Sequence, residues 1–212
     1  MKRLFYKLIN ASFVFLFLIC AVGFIESDVI SAASWTTQVQ APSGADKDGY
    51  TVIQNEKQLA YLINNISASG KYRLGRNMNM SGYTWPGIQK TFSGTFDGAG
   101  FIIENISSET KATQGLFTSL SGATVRNVSL TNCTFKGYSS VGSIAGSTSG
   151  ATVIEKIILT DCKVEVVYSS SGVWPNVGGV VGYADGTTKI QNAFINYILG
   201  GYVKSSVSNT SV

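Results

Sequence analysis

The sequence has no histidine. That excludes a Ser-His-Asp or Cys-His nucleophilic site and any zinc site with imidazole ligands. Cysteine is scarce, 3 in 212 residues, and Cys20 lies inside an apolar run near the N-terminus. The other two thiols, Cys133 and Cys162, are too few for a thiolate zinc site. No metal site and no cofactor is therefore expected. Charge is also thin: Asp, Glu, Lys and Arg are 13% of the chain, with a net charge of +4. So small an excess, with no clustered basic stretch, gives no footing for a nucleic-acid partner. After residue 25 no apolar stretch reaches membrane-spanning length.

The carboxylates past residue 33 are few and scattered. A glycosidase needs two of them flanking the scissile bond. Glu104 and Glu155 are expected near one another on successive repeats, as a polar ladder on one face, without the second carboxylate per repeat that catalysis needs. The paired Asp residues of a calcium site are missing, and Arg126 alone does not make a lyase. Asp97 reads as a turn residue bonded to its own backbone. The chain is read as not an enzyme.

What the chain does have is glycine, 23 residues, and a hydrophobic content of 44%, a folded, turn-rich composition. The first 33 residues read as a signal peptide. Lys2, Arg3 and Lys7 precede an apolar run from Leu8 to Ile25, and Ser31-Ala32-Ala33 offers a cleavage site before Ser34. Retention of the run as a membrane anchor is the alternative. Either way the rest of the chain is expected outside the cell, secreted and in part associated with the cell surface. Residues 34–49 read as a linker.

A repeat organises residues 50–200. The segments VRNVSLTNCTF (125–135), IEKIILTDCKV (154–164) and IQNAFINYI (190–198) superpose. Val125, Ile154 and Ile190 share a column, as do Val128, Ile157 and Ala193, and Leu130, Leu159 and Ile195. A fainter copy places Ile103 and Ile106 in the first two columns. The intervals then run 22, 29 and 36 residues, from Ile106 to Val128, Ile157 and Ala193. The surplus falls between the Cys-bearing strand and the next Gly-rich strand, GSIAG (142–146) or GGVVG (178–182). Short β-branched runs between Gly, Asn and Asp argue strands, and copies that cannot bury their own apolar faces must stack. The expected fold is all-β: a right-handed parallel β-helix (a β-solenoid of the pectin-lyase kind), with loops emerging at one corner.

Two features mark its ends. Asn55 and Gln58 form a helix N-terminal capping pattern ahead of an apolar stripe at Leu59, Leu62 and Ile63, so a short α-helix is expected to cap the first repeat and to end near Asn65. Residues 201–212 read as a polar tail that leaves the last repeat open. Self-association through that end is expected, with Ile195 and Ile198 partly exposed. Cys133 and Cys162 fall in one column, about 4.8 Å apart if stacked on neighbouring strands. That spacing admits either two stacked thiols or a disulfide.

FSGTFDGAGFIIENI, GLF, VRNVSLTNC, VGSIAG and VGGVVGYADG, in that order, resemble the GLUG-motif repeats of bacterial secreted and surface proteins. KQLAYLI and YRLGRNMNMSGYTWPGI resemble the segment that precedes such repeats. These repeats also occur in the N-terminal regions of some IgA-cleaving metallopeptidases. The resemblance covers about residues 50–198 and implies an extracellular repeat fold without a catalytic set. Asn77 and Asn79 stand where such proteins often carry Asp, which speaks against metal binding there.

The function expected is adhesion, or binding of a host or cell-surface glycan or protein, through the corner loops. Tyr138, Tyr168 and Trp174 are the candidate contacts, because aromatic faces suit sugars and exposed peptide. The alternatives are a structural spacer or N-terminal piece of a larger surface protein or peptidase, and a polysaccharide-active enzyme.

Overall fold

The computed structural model describes residues 39–110, 112–168, 175–198 and 200–207, all within one compact unit. The expected signal peptide, 1–33, lies outside the described residues. No described helix is long and apolar enough to cross a membrane.

The chain enters through residues 39–49, read above as a linker. Here Asp46 Oδ1 accepts the backbone N–H groups of Asp48 and Tyr50, both at 2.9 Å. Ala45 makes an antiparallel bridge to Thr51. Strand β1 (Thr51–Ile53) leads into helix α1 (Glu56–Asn65), which ends where the sequence places its end. The Asn55 side chain accepts the Gln58 N–H at 2.9 Å. The Gln58 side chain returns to the Gln54 N–H at 2.6 Å, one residue earlier than in a standard capping box. Leu59, Ala60, Leu62 and Ile63 are buried against the first strands, while Glu56, Lys57, Asn64 and Asn65 stay outside the core.

The strands that follow are β2 (Lys71–Leu74), β3 (Met78–Asn79), β4 (Thr95–Asp97), β5 (Ile102–Glu104), β6 (Ser107–Glu109), β7 (Phe117–Ser121), β8 (Thr124–Thr131), β9 (Thr134–Gly137) and β10 (Ser140–Gly142). Then come β11 (Ala145–Ser149), β12 (Val153–Thr160), β13 (Lys163–Tyr168), β14 (Asn176–Gly178), β15 (Val181–Ala184), β16 (Lys189–Asn196) and β17 (Tyr202–Val207). All pairings between these strands are parallel, and each strand pairs with its counterpart in the neighbouring repeat. Ile154 faces Val125 on one side and Ile190 on the other; Leu159 likewise faces Leu130 and Ile195.

The expected right-handed parallel β-helix of the pectin-lyase kind is not what these strands build. They fall into four separate sheets: an eight-stranded one in the order β1-β2-β4-β8-β12-β16 with β3 and β5 branching from β8, a four-stranded one (β17-β13-β9-β6), a three-stranded one (β15-β11-β7) and a two-stranded one (β10-β14). The reason is physical. Periodicity in a sequence reports which strands are equivalent, and hence which ones pair. Closure depends on the corners, which carry no hydrophobic period. At Gly142 and Gly178, for instance, an added Cβ would run into the Ala145 and Val181 backbone, so the chain breaks there between short strands.

Two other expectations need correction. Ile103 pairs with Leu130 and not with Val125, whose neighbour is Phe96. The first interval is therefore 29 residues (Phe96 to Val125), and the series 22, 29, 36 does not hold. The Asp97-Gly98-Ala99-Gly100 turn divides β4 from β5 and hides the earlier copy. Residues 202–207, read as part of a polar tail, form β17 on β13. Its Ser content disguised the alternation of Val203 and Ser205 with Lys204. The location of the surplus does hold from the second repeat to the third. Gly137 pairs with Val166 and Ser140 with Asn176, so 2 intervening residues in one repeat correspond to 9 in the next.

Aromatic layers fill the first half of the core. Phe92 stacks on Phe117 at 5.3 Å, and Phe96 meets Phe117 edge-on at 5.4 Å. Trp85 is fully buried and donates its indole N–H to the Leu116 carbonyl at 3.3 Å. The C-terminal end is different. Ile190, Phe194, Ile195, Tyr197 and Ile198 are all exposed, Ile198 by 68%.

Candidate functional site

The polar groups of this chain are arranged in rows that run across the strands. One row crosses the eight-stranded sheet through Arg73, Asp97, Arg126, Glu155 and Gln191, each in register with the next. Asp97 is its centre and is 5% exposed. Its Oδ2 lies 3.1 Å from Arg126 Nε and 3.8 Å from Arg73 Nη2. Its Oδ1 accepts the Asn127 side-chain amide and the Ala99 backbone N–H, each at 2.9 Å. Burial pushes the Asp97 carboxyl up, but the bonds from Asn127 and Ala99 and the Arg126 charge outweigh it and hold the group below the usual carboxylate range. The turn role read for Asp97 is thus present, but the sequence reading missed its ion pairs.

Arg73 continues the network outward. It reaches Asp46 at 2.8 Å and Asp48 at 3.3 Å, and its guanidinium lies over the Tyr50 ring at 4.0 Å. The Tyr50 N–H bond leads the interactions that hold the Asp46 carboxyl low. Arg126 Nη2 donates to the Tyr50 hydroxyl at 3.1 Å. Farther along, the Gln191 side chain donates to Glu155 at 2.8 Å.

A second row crosses the four-stranded sheet through Glu109, Lys136, Glu165 and Lys204. Glu165 is 8% exposed and lies 3.9 Å from Lys136 Nζ and 3.6 Å from Lys204 Nζ. The Tyr202 hydroxyl donates to it at 3.2 Å.

A third row is neutral. The Asn105 amide donates to Asn79 at 3.1 Å, and Asn132 to Asn105 at 2.7 Å. Asn105, Asn132 and Asp161 all have φ between 52° and 60°, the left-handed region that Asn and Asp tolerate best after glycine. These side chains line a groove of about 340 Å³ with Glu104, Thr131, Lys163 and Gly200. Asn77 and Asn79 satisfy backbone groups, accepting the N–H groups of Ile102 and Ser81 at 3.0 Å each. Glu104 and Glu155 are not neighbours as expected. Glu104 is in register with Thr131, and Glu155 with Arg126.

Of the candidate contact residues, Tyr138 is half-buried in the turn after β9, with its backbone N–H on the Ala112 carbonyl at 3.1 Å. Tyr168 closes β13, with its backbone in register with Val207; its side chain lies outside the described residues, as does Trp174. The β9–β10 turn and the β13–β14 loop leave from the same corner, since the strands before and after them pair. Tyr138 and the backbone of Tyr168 therefore lie at the same corner of the fold.

Cys133 and Cys162 are free thiols, buried at 0% and 1% exposure on successive repeats. Cys133 Sγ points to the carbonyls of Thr131 and Ile103, and Cys162 Sγ to those of Leu130 and Thr160. Burial, together with the neighbouring Cys162 sulfur, pushes the Cys133 thiol well up. Among the described residues no group of three or more Cys, Asp or Glu side chains could hold a metal ion.

The immunoglobulin A1 protease of Streptococcus pneumoniae is 29% identical to this chain over 147 residues, which are 65% of this chain and 7% of that protein. The crystal structure of a candidate immunoglobulin A1 protease from Bacteroides ovatus shares the fold with a TM-score of 0.50. The match has 17% identity and covers 76% of this chain and 60% of that one. A family model described as the M26 IgA1-specific metallo-endopeptidase N-terminal region matches residues 48–160. The chain therefore belongs to the family of M26 IgA1-specific metallo-endopeptidase N-terminal regions.

Proposed function

We propose that this chain is a non-catalytic, extracellular module of the kind found ahead of the catalytic part in IgA1-cleaving metallopeptidases. Its task is to present and space other elements rather than to break bonds. The family match over residues 48–160 carries the reading. The fate of the charged groups supports it. Asp97 and Glu165, the most deeply placed carboxylates, are held between cations of neighbouring repeats, where they lock register and are poorly placed to shuttle protons. Export follows from the N-terminal apolar segment read in the sequence.

The test is incubation of the chain lacking residues 1–33 with immunoglobulin A1, with and without zinc, followed by gel analysis. Intact heavy chain in every lane is the expected result, and zinc-dependent cleavage overturns the reading. A second reading, glycan or protein binding at the corner loops, is supported by the half-exposed Tyr138 in the β9–β10 turn, whose flanking strands pair with β13 and β14. Retention on a glycan array that Tyr138→Ala abolishes would favour it.

A further inference from the structure

The eight-stranded sheet carries its outward side chains in rows. Glu104, Thr131, Thr160 and Asn196 form one row, in register from β5 to β16. Two residues earlier on the same strands, and so on the same face, run Ile102, Ser129, Ile158 and Phe194. Ile102, Ile158 and Phe194 are exposed, Ile158 by 46%. Strand β12 has β8 paired on one side and β16 on the other, so the exposure of Ile158 belongs to the face and not to an edge. Its chain neighbours Ile157 and Leu159 point inward and are buried. Exposed apolar side chains aligned across repeats mark a contact surface more than scattered ones do.

Beyond the polar row lies the groove of about 340 Å³. Its amide ladder, from Asn132 through Asn105 to Asn79, stands on left-handed backbone at Asn105 and Asn132 and is therefore fixed in place. The ladder stops at Asn132, since the next corner holds Asp161. Glu104 and Lys163 also line the groove. Unlike Asp97 and Glu165, which are tied to cations, the Glu104 and Lys163 side chains have no hydrogen bond or ion pair among the described residues.

An apolar row and a polar row thus run side by side, about 6.6 Å apart, along the direction in which the repeats stack. That is the scale of one sugar ring, which has an apolar C–H face and a rim of hydroxyls. Other occupants fit less well. An extended peptide has no strand edge to join here, because β8 uses its backbone groups to pair with β5 and β12. A polyanion would meet Glu104 and Asp161 against one Lys163. A wholly apolar ligand would strip water from Glu104 and Lys163 and return no hydrogen bond.

We propose that this face, from Ile102 and Ile158 to the Asn105–Asn132 groove, is a binding site for a neutral glycan chain. The chain lies along the stacking direction. Its ring C–H faces rest on Ile102, Ile158 and Phe194, and its hydroxyls bond Glu104, Thr131 and the Asn132 amide. Lys163 donates from the far wall of the groove. The site is distinct from the corner of Tyr138, because strand β9 separates Asn132 from Tyr138.

The probes are cellohexaose, mannohexaose and chitohexaose, with hexagalacturonate as the anionic comparison. Each is titrated by calorimetry into the chain lacking residues 1–33, and contacts are mapped by NMR shift changes. At least one neutral chain is expected to bind, with shifts centred on residues 102–105 and 158–163. Ile158→Ser and Glu104→Gln are each expected to weaken that binding about tenfold. Both sites are outside the core, and Lys163→Gln serves as a third variant if either protein misfolds. Tyr138→Ala is expected to leave the affinity unchanged. Three results overturn the proposal: no neutral chain binds, binding survives all the groove and stripe variants, or hexagalacturonate binds more tightly than every neutral chain. Loss of binding on Tyr138→Ala alone also overturns it, and assigns the glycan to the β9–β10 corner instead.

Discussion

Arg126 and Asp97 sit in register on adjacent strands of the eight-stranded sheet and meet at 3.1 Å, with the carboxylate buried and the guanidinium one-third exposed. A pair so placed fixes which repeat lies against which. An inward column of Val, Ile and Leu cannot do this alone, because one apolar residue stacks on another almost equally well after a slip.

Removing the carboxylate tests that role. Asp97→Ala leaves Arg73 and Arg126 facing each other across a dry position and is expected to lower stability by about 2–3 kcal/mol, read from urea unfolding. The figure is kept below that of a fully buried pair because both guanidinium groups reach solvent.

The same carboxyl makes stability depend on pH in a definite direction. Its folded value is depressed, so the unfolded chain binds a proton first as pH falls. The stabilisation is complete above the unfolded carboxylate value of about 3.9. It is lost as pH drops through the lower folded value. Thermal melts between pH 6 and pH 2 should show the loss in the acid limb, and Asp97→Asn should flatten that limb.

Leu159 tests the inward column. It is 1% exposed and lies between Leu130 and Ile195 in register. Leu159→Ala is expected to cost about 2–5 kcal/mol through lost burial and a cavity. Ile195→Ala should cost much less, because Ile195 is 39% exposed at the open end.

The cysteines should be chemically silent in the folded chain. Both are buried, and the raised Cys133 thiol is a poor nucleophile at neutral pH. A thiol reagent should label neither until denaturant is added. Cys133→Val with Cys162→Val together should fold normally, while each Cys→Ser change weakens the fold by placing a hydroxyl in an apolar column. Labelling of the native protein would show that this column opens.

Lys156 offers a gain. It has φ 56° between Asn127 and Asn192, which occupy the same register position with φ 53° and 54°. Lysine is the poorest of the three in that region. Lys156→Asn is expected to raise stability by about 0.5–1 kcal/mol, measured as a shift in denaturant midpoint at constant slope.

The sequence reading succeeded where one kind of side chain recurs at one depth. The columns through Ile154 and Leu159 and the α1 cap from Asn55 to Asn65 follow from hydrophobic period and capping chemistry. It failed where the signal lies in alternation between repeats. Arg73, Asp97, Arg126 and Glu155 share a column as surely as Val125 and Ile154 do, but they change sign from copy to copy, and an alignment of like with like passes over them. Closure of the strands was not legible either, since corners such as Gly142 and Gly178 recur without a hydrophobic side chain to show how the chain bends there. At the candidate loop site the sequence offered three aromatic residues, and of these the structure describes the side chain of Tyr138, which is half-buried.

The corner between Val166 and Asn176 takes seven residues more than its counterpart, yet the strands on either side stay paired residue for residue with those of the preceding repeat. Length at that point is mechanically decoupled from the rest of the molecule. Foreign sequence, such as an epitope or an affinity tag, can be spliced there without asking any strand to move, and natural variants can diversify there while the scaffold underneath stays the same.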